Sequence, residues 1–138
     1  MLSYNQALDF IHGLNRFGTK LGLQNITQLL ELLGNPQKNM KVIHVAGTNG
    51  KGSTCAMIDS ILRSAGYKVG LYTSPYLEEF NERMRVNGEN ISNDDLARLT
   101  DKVRKKVIYM RENNLGSPTE FKVVKAIGFL YFEKQTVD

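Results

Sequence analysis

The chain has 138 residues, 41% hydrophobic and 23% charged, with a formal net charge of +4. That composition suits a single globular domain with a core of its own, and no apolar run approaches the ~20 residues of a membrane-spanning helix. Asn5, Gln6 and Asp9 interrupt any basic-then-apolar leader, and the one cysteine, Cys55, cannot make an internal disulfide, so a cytoplasmic location is expected.

In chain order, Ser3 and Gln6 form a capping box for a helix over 3–12, with Leu8, Phe10 and Ile11 as apolar positions. Gly13, Gly18 and Gly22 then make a flexible stretch. A second helix, 26–33, stops at Gly34 before Asn35-Pro36. Lys41–Ala46 is an unbroken apolar strand of the kind buried on both faces of a parallel sheet. The segment 53–65 is a helix with Met57, Ile58, Ile61 and Leu62 on its apolar face and Gly66 as its stop. A second strand, 68–72, follows. This order predicts a right-handed crossover and parallel pairing of the two strands.

The connection from Thr73 to Glu89 is long and charged, and is expected to be mobile without ligand. It carries a short extended piece, Met84–Val86, and an Asn87-Gly88 turn of hairpin type. Ser92 caps a long helix with Leu96, Leu99, Val103 and Val107 inward, and Asn113–Pro118 breaks it. A final helix, 119–133, is apolar enough to lie in the core. After it the next element of a doubly wound sheet would be another strand, so the chain reads as a fragment of a larger domain.

The chemistry concentrates at Gly47-Thr48-Asn49-Gly50-Lys51-Gly52-Ser53-Thr54, between the first strand and the helix after it. Glycines let backbone N–H groups curl around an anion, and a helix N-terminus adds unbonded donors and a partial positive charge. Lys51 can reach outer phosphates, and Ser53 or Thr54 can hold Mg²⁺. The match to G-x-x-x-x-G-K-[ST] is imperfect: Val45 stands where the first Gly belongs, and Gly52 follows Lys51. Many Gly-Lys turns bind nothing; here the flanking strand and helix favour a nucleoside triphosphate.

Ser74 lies beyond the second strand, at the edge where parallel sheets bind ligands, and is a second candidate Mg²⁺ contact. Glu82 and Arg83 are placed to fix the loop by ion pairing. His44 sits inside a buried-type strand and reads as a satisfied core histidine, while His12 and His44 lack metal-ligand spacing. Cys55 reads as a small helix-packing residue. The basic run Lys102, Arg104, Lys105, Lys106 and Arg111 has only Tyr109 to stack with, so it reads as a solvated helix face, not a nucleic-acid surface. No carboxylate ends a later strand to complete a metal shell, and no general base is evident: the sequence looks like half of a nucleotide site.

Several motifs converge on one family. Phe17–Leu23, His44–Thr54, Ala65–Leu77, Phe80–Gly88 and Pro118–Phe121 together resemble folylpolyglutamate synthase and dihydrofolate synthase, of the Mur ligase superfamily. The resemblance spans nearly the whole chain but only about the first third of a typical member. It implies a three-layer α/β/α, P-loop-containing parallel-sheet ATPase domain, present incompletely, with residues 1–138 as its N-terminal portion and the C-terminal glutamate-ligase domain absent. It also implies an ATP-dependent ligase that phosphorylates a folate or dihydropteroate carboxylate, which the amine of L-glutamate then attacks. Gly47–Thr54 match the ATP loop, with Lys51 catalytic on the phosphates, and Ser74 matches the Mg²⁺-contacting serine. Thr119, Glu120, Phe121 and the position of Lys122 match a pterin-contacting motif. The family usually has Glu at 122, often Thr at 125, and frequently His where Tyr76 stands. The implied protein is a monomer without nucleic-acid or membrane partners, inactive as this fragment. A stand-alone nucleotide-binding module or inactive remnant is the alternative.

Overall fold

The computed structural model describes residues 1–14 and 23–138. The glycines at 18 and 22, and all of the Phe17–Leu23 motif except Leu23, lie outside them.

Local signals set most helix ends. Helix α1, Tyr4–Gly13, begins at the capping box: Gln6 N–H donates to Ser3 Oγ at 3.2 Å and Ser3 N–H to Gln6 Oε1 at 2.9 Å. Helix α2, Gln24–Leu32, ends where Gly34 and Asn35 take positive φ, and Pro36 then starts a single 3₁₀ turn. Helix α3 is Lys51–Ser64. Strand β1, Gly70–Tyr72, leads through a 3₁₀ turn at Phe80–Arg83 into β2, Met84–Val86, and β3, Glu89–Asn90. Ser92 caps α4, Asn93–Glu112, and Thr119 caps α5, Glu120–Lys134.

Helices α1, α2, α4 and α5 bury one core, with Ile11, Leu29, Val107, Met110, Val123 and Ile127 among its members. Met84 and Val86 of β2 join the same core, which seats the sheet against α5. Gly128 permits the close approach: a Cβ there would lie 2.9 Å from Tyr72 Cδ2. The Asn87-Gly88 turn takes φ of 48° and 83°, and pairs Val86 with Glu89 and Arg85 with Asn90, the two-residue hairpin expected from sequence.

The α/β class holds, but the pairing within it differs from expectation. Lys41–Ala46 is not a strand. It has no regular secondary structure, and Val42 and Ile43 are each 62% exposed. The second strand is shortened to 70–72 and pairs antiparallel with β2, Gly70 opposite Val86, so the sheet order is β1-β2-β3 with no parallel ladder among the described residues. An apolar run specifies the ability to be a buried strand, but the ladder also needs a neighbour, and none of the described residues supplies one. The same lack exposes the expected inner face of α3: Met57 and Ile61 are 59% and 66% exposed. His44 is exposed, as is the segment apart from half-buried Val45, and is not a core histidine.

Candidate nucleotide and substrate site

The glycine-rich loop feeds α3 as the sequence predicts. Gly50 is the N-cap, with φ of 76° in the left-handed region that glycine adopts without steric cost, and Lys51 is the first helical residue. Thr54 N–H donates to the Gly50 carbonyl at 2.9 Å and closes the first turn. The N–H groups of Lys51, Gly52 and Ser53 precede that bond and have no acceptor within the helix. Residues 46–54 are all exposed, so donors, ammonium and hydroxyls gather at one open helix start. That is the chemistry an oligophosphate requires. Ser53 lies in the first turn of α3, and exposed Ser74 stands two residues past β1. Cys55 is a free, half-buried thiol on α3.

The second candidate region opens α5. Thr119 accepts the Lys122 N–H at 3.4 Å as its N-cap. Glu120 Oε1 lies 3.0 Å from His12 Nδ1. Phe121 is 58% exposed, with the Lys125 ammonium 4.5 Å from its ring centroid. His12 also meets Phe80 edge-to-face at 5.9 Å, and the Arg83 guanidinium lies 5.5 Å from the Tyr76 ring and 5.1 Å from Phe80. The end of α1, the start of α5 and the 76–83 turn thus converge through His12. Sequence reasoning missed this junction. His12 and Glu120 are separated by 108 positions, and no local pattern joins them.

Glu82 and Arg83 do not pair with each other as expected. Glu82 accepts backbone N–H groups from Leu77 and Glu78 at 2.9 Å each and from Glu79 at 2.8 Å. These bonds, Glu79 first, hold its carboxyl below the usual carboxylate range. The positive charge of Arg83 is directed to aromatic faces. Burial pushes the Tyr72 phenol up to about 12, and its hydroxyl has no protein partner. On α4, Asp101 takes Arg104 at 2.8 Å and Lys105 at 3.5 Å, so part of the basic run is neutralised within its own helix. Among the described residues no group of three or more His, Cys, Asp or Glu can hold a metal ion. No helix among them is long and apolar enough to cross a membrane.

With a glycine-rich loop opening α3 and a sheet seated on helices, the chain shares the α/β fold of the N-terminal part of folylpolyglutamate synthases, which are Mur ligase family enzymes. Its homologues are folylpolyglutamate and dihydrofolate synthases, and it matches their N-terminal part. No protein-family model matches. The dihydrofolate synthase/folylpolyglutamate synthase of Bacillus subtilis is 47% identical over 130 residues, covering 94% of this chain and 30% of that protein. The folylpolyglutamate synthase structure from Thermotoga maritima superposes with a TM-score of 0.90 at 41% identity, covering 98% of this chain and 31% of that one. A folylpolyglutamate synthase–AMPPCP–folate complex superposes with a TM-score of 0.90 at 35% identity, covering 99% of this chain and 34% of that one. The chain therefore spans about a third of the length of these relatives.

Proposed function

We propose that this chain is the N-terminal ATP-binding part of an ATP-dependent folylpolyglutamate or dihydrofolate synthase, which adds glutamate through an acyl phosphate. The observation that carries the reading is the open turn at Gly50-Lys51, where unbonded N–H groups, an ammonium and two hydroxyls face solvent at one helix start. The resemblance to a synthase solved with AMPPCP and folate supports it. In this reading Gly47–Gly50 and the first α3 amides cradle phosphate, and Lys51 neutralises charge developing on the transferred group.

The Ser53 and Ser74 hydroxyls are hard oxygen donors that suit Mg²⁺, which accepts few protein ligands alongside water and substrate phosphate. Bound there, Mg²⁺ would offset phosphate charge. Thr119, Glu120, Phe121 and Lys122 would line the folate side, where an exposed aromatic ring beside charged groups suits a flat heterocycle with a charged tail. Residues 1–138 would then correspond to the N-terminal third of such a synthase. Aligning two reactants supplies roughly 7–11 kcal/mol of barrier reduction, so the isolated chain should not ligate.

Calorimetry with Mg²⁺-AMPPCP tests the assignment. Weak binding by the chain should fall at least ~10-fold in Lys51→Ala, the loss of one charge-assisted phosphate contact. Equal affinity of the two proteins would refute the role of Lys51. Glutamate- and folate-dependent ADP release by the 138-residue chain would overturn the view that it is inactive alone.

A further inference from the structure

His12 lies in the last turn of α1 and touches two other parts of the fold. Its Nδ1 is 3.0 Å from Glu120 Oε1, and the Glu120 side chain is 19% exposed. An ionised carboxylate only accepts hydrogen bonds, so Nδ1 carries the proton and donates it. The His12 ring meets buried Phe80 edge-to-face, at 5.9 Å and 83°. Phe80 is braced in turn by the Tyr76 ring at 5.8 Å and by the Arg83 guanidinium, 5.1 Å from its centroid. Two exposed rings thus connect to His12: Tyr76 through Phe80, and Phe121 through the backbone of its neighbour Glu120.

We propose that His12 is a positioning residue of the folate side. Its Nδ1–H holds the Glu120 carboxylate where that group accepts a hydrogen bond from an N–H-bearing heterocycle, and its ring, set against Phe80, keeps the 76–83 turn in register with the start of α5. The role depends on the folate-side reading above and gives its residues separate tasks. A flat heterocycle with N–H donors needs an acceptor. A lysine ammonium only donates, so Lys122 cannot serve, and Glu120 is the one carboxylate among Thr119, Glu120, Phe121 and Lys122. A glutamate side chain has three torsions to fix when it meets a ligand. Held beforehand by Nδ1–H, this one is already ordered, whereas ordering such a side chain on binding costs roughly 2–10-fold in affinity. His12 thus acts through Glu120 and need not touch the substrate.

Equilibrium dialysis of labelled folate against the 138-residue chain tests this, with melting temperatures measured on the same proteins. His12→Phe keeps a ring against Phe80 and loses the donor. His12→Asn loses the ring and can place an amide N–H where Nδ1–H stood. Folate binding should weaken roughly 3–10-fold in His12→Phe and be largely restored in His12→Asn, although His12→Asn should melt lower. A residue with a purely structural part would rank the two variants the same way in both measurements. In a Glu120→Ala background, His12→Phe should weaken binding no further, because the two side chains act as one unit. The proposal is overturned if His12→Asn binds no better than His12→Phe, or if the His12 and Glu120 losses simply add. Binding that neither His12 variant changes removes this role and leaves the folate side standing. No folate binding by the unsubstituted chain removes both.

Discussion

Tyr4 Oη donates to Asn81 Oδ1 at 2.7 Å and ties the first turn of α1 to the 3₁₀ turn before β2. Asn81 is 3% exposed, and its Nδ2 donates onward to the Ile91 carbonyl and to Asn93 Oδ1, each at 2.8 Å. One amide therefore joins the N-terminus, the hairpin and the start of α4. Asn81→Leu would leave these partners inside without a hydrogen bond, at about 2–4 kcal/mol. Tyr4→Phe removes one bond at the rim and should cost about 1 kcal/mol. Urea unfolding of the two variants gives both values, and equal losses would argue against Asn81 as the hub.

Gly128 tests how the sheet sits on α5. A Cβ at 128 would lie 2.9 Å from Tyr72 Cδ2 and 3.2 Å from Cε2, and Tyr72 is half-buried against the core. Alanine is the better helix former by about 1 kcal/mol, so propensity alone predicts stabilisation. Overpacking costs roughly 1–3 kcal/mol and should win, because the ring must move with its strand. Gly128→Ala is therefore expected to lower the melting temperature, and a rise would show that β1 yields freely.

Glu82 should make the 77–83 turn sensitive to acid. Its carboxyl is held below the ordinary value of 4.5 by the N–H groups of Glu79, Leu77 and Glu78, with Arg85 adding a smaller effect. A lowered carboxylate pKa gives a contribution that is present above the unfolded value and lost as pH falls through the folded one. Exchange protection of the Leu77, Glu78 and Glu79 amides should therefore fall as pH drops below about 4.5, after correction for intrinsic rates. Glu82→Gln should show weaker protection with no such step. A step that persists in the variant would place the titrating group elsewhere.

Lys122 lies in the first turn of α5, next to Phe121, where the resembling family usually carries Glu. In a full-length context, Lys122→Glu should improve folate use mainly through KM, since a carboxylate can accept hydrogen bonds from a pterin. In the 138-residue chain the same change should create no ligase activity. Steady-state assays at saturating ATP and glutamate separate KM from kcat. No change in KM would remove residue 122 from the folate side.

The sequence by itself determined the helices and the hairpin, because their signals are local. Ser3-Gln6, Ser92, Thr119, Gly34 and Asn87-Gly88 each act within a few residues of the bond or dihedral they set. It also determined the loop at Gly50-Lys51, since a left-handed glycine before a helix is a backbone requirement written in one residue. Tertiary structure decided the rest. The Thr73–Glu89 connection reads as a charged loop, yet Phe80, Asn81, Met84 and Val86 bury there, and Glu82 binds three amides instead of its neighbour Arg83. His12 met Glu120 and Phe80 only because α1 and α5 pack together. The 41–46 segment has a strand's sequence without a strand's bonds, because a β-ladder is a relation between two segments and apolar side chains specify only one of them.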